Sequence, residues 1–297
     1  MCASGHIGRD AMIQSFLASW DLFQNTYLAG WGMGLVLAQV GVIVVARDQI
    51  FIGAGVSQAS ALGVAAALWI GQMASQDPNH WFRSDAFLAV MAVIFSVAAA
   101  WMTTIRRNAD RESHEAVTGW VFLLSASLSI LLLSRSPHGL EEIQRLVSSS
   151  IIGATGGDVL LFLVMATLSG LLLVFIHRPL LLLAMDRPMA EALGMRTGLW
   201  SASICIWLGL SLGLSIRCAG TLYAFGCLVL PPLISQGLCR EVSHMFLVAP
   251  LVFLAAAVPG FVLANHLDFP PAQMTVALLC GGFALIWVKA RLRQPFA

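Results

Sequence analysis

Charge is what this sequence has least of. Only 10% of its 297 residues are Asp, Glu, Lys or Arg, and Lys289 is the single lysine. A water-soluble domain carries roughly a quarter charged residues, so a soluble globular domain is excluded. A net charge of +1 leaves no basic surface for nucleic acid. Signatures of catalysis are missing as well. There is no G-x-x-x-x-G-K-[ST] phosphate loop and no G-x-S-x-G elbow, and the seven histidines are dispersed without an H-E-x-x-H pair. The six cysteines show no C-x-x-C spacing. Five of them fall in or beside apolar stretches, where a thiol behaves as a small apolar side chain, so no disulfide framework is expected. Every Asp, Glu and His lies in a loop or at the end of an apolar stretch. A proton-driven carrier or an intramembrane protease needs ionisable groups at depth, which argues against both. The chain is not expected to bind and hydrolyse ATP by the usual loop, and if ATP drives it, another subunit binds the nucleotide.

What remains is apolar, at 59% hydrophobic with a mean hydropathy of +0.85. Stretches of the length that crosses a bilayer, about 20 residues, occur at 27–46, 50–73, 86–105, 117–134, 159–176, 199–216, 219–238, 245–264 and 272–288. The expected fold is all-α: a polytopic integral membrane bundle of about nine transmembrane helices. Proline interrupts the seventh and eighth stretches. The loops after the odd-numbered spans hold Arg47, Arg106, Arg107, Arg111, Arg178, Arg187, Arg196, Arg240, Lys289, Arg291 and Arg293; the other side holds Arg9, Arg83, Arg135, Arg145 and Arg217. This bias places the N-terminus outside and the C-terminus in the cytoplasm. Residues 1–26 form an extracytoplasmic segment in which Met12, Phe16, Trp20 and Phe23 recur at helical spacing. That pattern fits an amphipathic helix in the outer interface, against lipid, or a helix that docks a partner.

Three stretches stand out. In the second span, Gly53, Ser57, Ala61 and Ala65 form one stripe of small residues, and Gly55, Ala59, Gly63 and Ala67 form another. Small stripes let helices approach closely, so this helix is expected to be interior and touched on two sides. Ala54 and Gln58 share the face between the stripes; the amide either glues helices together or faces a substrate. After the fifth span, "MDRPMAEALGMRTG" supplies Asp186 as an N-cap, Pro188 for the first turn and Gly194 as a stop. The result is a helix of about two turns, either an ordinary interfacial loop or a docking knob. In the seventh span, "RCAGTLYAFGCLVLPPLISQGLCR" contains Pro231 and Pro232, which mark a kinked pore-lining helix or a helix end.

These stretches, in this order, resemble the permease subunits of ATP-binding-cassette importers for zinc, manganese and iron(II). The family's early G-D-x-x-x-H-A/S-x-x-x-G stands here as "GAGVSQASALG", with Gly53, Ala59 and Gly63 in place. Its D-x-x-x-A-x-x-x-G stretch is matched by Asp186, Ala190 and Gly194, and its V-G-x-L-L-V-x-x-L-L-x-x-P-A by Gly220 and Pro231. "HEAVTGWVFLLSASLSILLL" and "FPPAQMTVALLCGGFAL" look like further family segments. The resemblance implies that residues 27–297 form a permease domain in the bacterial plasma (inner) membrane. It implies a second permease copy, cytoplasmic ATPase subunits holding ATP and Mg and docked on the 186–194 helix, and an extracytoplasmic binding protein. It makes Ala54, Gln58, Gly220 and Pro231 the candidate lining of a translocation path. One departure is plain: the family's acidic and histidine positions fall on Ala54 and Gln58, and neither is a good ligand for a divalent metal. A chelated metal or neutral solute as cargo, a non-transporting membrane anchor or assembly subunit, and a membrane enzyme remain the alternatives.

Overall fold

The computed structural model describes residues 16, 19–74, 81–105, 111–134, 141 and 151–293. Among the described residues, nine helices carry the fold: α1 Trp20–Ala46, α2 Ile50–Ala74, α3 Asp85–Ile105, α4 Arg111–Leu133, α5 Gly156–Met185, α6 Arg187–Ala192, α7 Thr197–Leu238, α8 Val242–Leu267 and α9 Pro271–Arg293. Short 3-10 turns sit at Trp81–Arg83 and Ile151–Gly153, and the described residues include no strand. Eight of these helices, all but α6, are long and apolar enough to cross a membrane. The protein is an all-α integral membrane bundle.

α7 resolves the difference between eight helices and nine expected spans. Its 42 residues would extend about 63 Å, twice the hydrocarbon thickness. It does not run straight. Trp200, Ser203, Ile204 and Trp207 line a cavity with Gln39, Val40 and Ile43 of α1. A methyl group on Gly41, in the same part of α1, would overlap the Leu228 carbonyl and approach Pro232 to 2.9 Å. Ile204 and Pro232 would lie about 42 Å apart along a straight helix, yet both flank one stretch of α1. The chain therefore folds back, and it does so at Gly220, whose φ of 77° and ψ of 172° break the helix. The two arms, α7a (197–219) and α7b (221–238), match the sixth and seventh expected spans. The prolines do not break the helix: Pro231 and Pro232 lie inside α7b, which continues to Leu238, and Pro250 and Pro259 lie inside α8.

α1 is the central post. Gly32 meets Phe162 of α5, Gly34 would overlap Phe253 of α8 if it bore a Cβ, and Tyr223 Oη of α7b donates to the Gly30 carbonyl at 2.9 Å. On the far side of α7a, Ser96 Oγ of α3 donates to the Gly209 carbonyl at 2.6 Å.

α1 begins at Trp20, a turn or two before the expected span, because its first turns pack on protein. Phe16 stacks on Tyr27 at 4.8 Å between centroids, and Tyr27 meets Phe261 of α8 edge-on at 5.6 Å. Ser19 Oγ and Tyr27 Oη both donate to Asn265 Oδ1, at 3.2 and 3.3 Å. Of the expected interfacial helix, Met12 lies outside the described residues, whereas Phe16, Trp20 and Phe23 are partly buried against the core.

Candidate functional site

α6 is a short helix closed at both ends by its own sequence. Asp186 leaves helical geometry at φ −142° and its Oδ1 accepts the Met189 N–H at 3.0 Å, with Pro188 in the first turn. At the other end, Gly194 adopts φ 79°, its N–H bonds the Glu191 carbonyl, and the Met195 N–H bonds the Ala190 carbonyl, both at 3.0 Å. That pair of bonds is a Schellman closure, which needs the left-handed residue that glycine supplies. Ala190 is fully buried, seated on Ile43 of α1, Leu180 and Leu183 of α5 and Ile204 of α7a. Met185, Met189 and Leu193 around it are exposed. Glu191 ties the knob together, accepting from Thr197 Oγ1 at 2.9 Å and pairing with Arg187 Nε at 3.0 Å. The Thr197 hydrogen bond, then the Arg187 bond, hold its carboxyl below the usual glutamate range. The arrangement is a firmly shaped protrusion that can transmit a push into α1, α5 and α7a.

α2 is held by neighbours on two sides, as its stripes require. A Cβ on Gly53 would lie 2.7 Å from Leu228 Cδ2 and 3.3 Å from Phe225 on α7b. One on Gly55 would lie 3.2 Å from Thr118 Cγ2 on α4, and one on Gly63 would lie 2.5 Å from the Met91 carbonyl oxygen on α3. Ser57, Ala59, Ala61, Ala65 and Ala67 are buried, whereas Ala54 and Gln58 between the stripes are only half-buried. The Gln58 amide has no hydrogen-bond partner among the described residues. Within one protomer, then, it does not bond a neighbouring helix.

α7b supplies the other candidates. Gly220 and Pro231 are both buried, so neither shares the half-open face of Gln58. They shape the helix beside it. Gly220 turns the hairpin, and the two prolines remove the N–H partners of the Cys227 and Leu228 carbonyls. Both of those residues are fully buried in protein, the setting in which proline is tolerated at membrane depth.

Two features were not singled out by sequence reasoning. Arg217 Nη2 donates to Asp158, which also closes the capping box with Thr155 at the start of α5. This pair joins α5 to the end of α7a at the end of α5 opposite α6; no spacing signal links residues so far apart in the chain. The second is Gln39, half-buried in the middle of an apolar helix, with an Oε1 that is buried without a hydrogen-bond partner. A lone amide in an apolar span was the available signal, the same one that marked Gln58. Among the described residues, no group of three or more His, Cys, Asp or Glu could hold a metal ion.

Known proteins share this architecture. PsaBC from Streptococcus pneumoniae, solved in complex with Fab, superposes with a TM-score of 0.75 over 93% of this chain and 95% of its own, at 18% identity. A metal-chelate type ABC transporter in an inward-facing conformation gives 0.73 over 91% and 88%, at 17% identity. The manganese transport system membrane protein MntB of Synechocystis is 22% identical over 87% of this chain and 79% of its own length. The chelated iron transport system membrane protein YfeD of Yersinia pestis is 21% identical over 84% and 79%. The model of the ABC 3 transport family matches residues 19–290, nearly all of the described helices, and the chain belongs to that family.

Proposed function

We propose that the chain is the membrane-spanning subunit of an ATP-driven importer for divalent metal ions. The observation that carries this is α6, a capped knob whose single buried side chain, Ala190, rests on three transmembrane helices while Met189 and Leu193 stay exposed. A cytoplasmic ATPase subunit, holding ATP and Mg, grips that knob. A second permease copy completes the path, and an extracytoplasmic binding protein delivers the cargo. Manganese and chelated iron, in the names of the relatives, support metal as the cargo class. The site is the bacterial plasma membrane, with the N-terminus outside. A cysteine introduced at position 110 is then labelled only from the cytoplasm, and one at position 79 only from outside.

Gln58 and Ala54 line the path between the two stripes of α2, and Gly220 and Pro231 shape the α7b arm beside it. An amide and a methyl group bind a bare divalent ion poorly, which favours a second reading of the cargo: a metal carried with its own ligand. The test is ATP-dependent uptake of radioactive manganese, zinc and iron, free and as citrate complexes, into vesicles holding the full complex. Uptake that depends on the ATPase subunit is expected. Equal uptake without that subunit, or none with it, overturns the importer reading in favour of an anchor or assembly role.

A further inference from the structure

One feature left unused by this mechanism is a cavity of about 180 Å³ between α1, α5 and α7a. Its walls are almost wholly apolar, among them Leu173, Ile176, Trp200 and Trp207, with Gln39, Ser169 and Ser203 as polar exceptions. Its lining includes Leu172, which is 40% exposed on a helix long and apolar enough to cross a membrane. On a spanning helix of this kind, the medium that borders an exposed apolar side chain is apolar too.

Three observations select the occupant. The cavity is large enough for a molecule the size of benzene, which an apolar void of similar volume binds, and two indole rings line it. Gln39 Oε1 is buried without a partner, and an unpaired amide in hydrocarbon is costly; an acyl chain offers it no donor. Gln39 also lies seven residues before the end of α1 at Ala46, about 10 Å along the helix, and a charged headgroup is expensive at such depth. We propose that this cavity is a binding site for a small uncharged molecule with a ring-sized apolar body and one hydroxyl, taken up from the bilayer. The hydroxyl bonds Gln39 while the body lies against Trp200 and Trp207.

The site bears on α6. Ile43, Leu180 and Ile204 form part of the cavity wall, and the same three residues seat Ala190. An occupant that fills the wall from one side fixes the seat of α6 from the other. Ligand binding thus adjusts how the knob moves with its partner. This link to α6 rests on the coupling role proposed above; the binding itself does not.

The test uses the full chain in lipid nanodiscs and two probes of equal shape, 4-bromobenzyl alcohol and 1-bromo-4-ethylbenzene, whose bromine quenches tryptophan. The alcohol should quench saturably, the saturable part of the quenching should vanish in a Trp200→Phe/Trp207→Phe variant, and the ethyl probe should bind about 2- to 10-fold more weakly, as one lost hydrogen bond requires. Gln39→Leu should erase the difference between the probes while leaving the apolar probe bound. Quenching that is linear and equal for both probes means partition into lipid and overturns the site. Saturable but equal binding means an apolar void for acyl chains and overturns the hydroxyl specificity, and no quenching at all means a cavity closed or held by water. In the complex with its ATPase, the alcohol should change ATP hydrolysis in wild type and not in Gln39→Leu. Binding without that change leaves the site standing and removes its link to α6, whereas failure of ATP-driven uptake alone sinks only the importer reading.

Discussion

α1 and α5 run side by side in the same direction, and both are long, apolar and interrupted by few polar residues. Yet 78% of the apolar stretch of α1 is buried inside the protein, against 17% for α5. The helix that protein buries is not the more apolar one. What separates them is side-chain size: α1 places Gly30, Gly32, Gly34 and Gly41 against four close neighbours, whereas α5 faces outward with Leu160, Val164, Leu168, Leu171 and Phe175. Lipid is as apolar as leucine, so apolarity alone gives no reason to leave it. Close contact between backbones does, and small residues permit it.

The sharpest way to break this contrast is to remove the small residue where two backbones meet. Gly41→Val would drive a side chain into the Leu228 carbonyl; a backbone atom cannot yield as a side chain can, and overpacking of this kind costs about 1–3 kcal/mol or more. Loss of the monodisperse peak in detergent is expected. Val164→Leu, on the exposed face of α5, should change stability by no more than about 0.5 kcal/mol. Equal tolerance at both positions would show that α1 and α7b do not touch as described.

A smaller effect is expected where α5 gives way to α6. Asp186→Ala removes the acceptor of the Met189 N–H and should loosen α6 by about 0.5–2 kcal/mol. Read as coupling, this lowers substrate-stimulated ATP hydrolysis in the complex while membrane insertion stays intact. Unchanged stimulation would take α6 out of the coupling role.

Gln58→Leu tests the half-open face of the other interior helix, α2. The amide has no partner among the described residues, so the variant should stay folded and lose about 2- to 10-fold in uptake rate, the worth of one hydrogen bond to the passing cargo. A destabilised dimer with normal uptake per folded complex would instead make Gln58 an adhesive between protomers.

The smallest effect is in pH. The bonds from Thr197 and Arg187 lower the Glu191 pKa, so their stabilisation of α6 is fully present above the unfolded value of about 4.3. It is lost as pH falls through the lower folded value. Hydrogen exchange of the α6 amides should rise, relative to α5, only below that range, and Glu191→Gln should flatten the dependence. A rise near neutral pH would point to a different group.

Several parts of the site were legible because their causes are local. The Asp186 cap, Pro188 and the Gly194 closure sit within nine residues of one another, and each works through the backbone beside it. The two stripes of α2 were legible because a helix converts fourfold spacing into a face. The turn of α7 was only half legible. The sequence contained the two spans that became α7a and α7b, but attention fell on Pro231 and Pro232. The break came at Gly220 instead, since a proline inside a buried helix loses one hydrogen bond while a residue at φ 77° reverses the chain. Gln39 was legible as a residue type but not as a site, because only α5 and α7a make the cavity around it.

By itself, then, the sequence determined which segments cross the membrane and how the ends of α6 close. Transfer into hydrocarbon depends on each segment's own composition, and capping depends on its nearest residues. Tertiary structure alone decided that α1 is the buried post and α5 an outward-facing one, that α7a and α7b flank the same stretch of α1, and that Arg217 reaches Asp158. Those outcomes join residues tens of positions apart through packing and ion pairing. A stretch of apolar residues favours burial in lipid and in protein almost equally, so only its fit against a particular neighbour could choose between them.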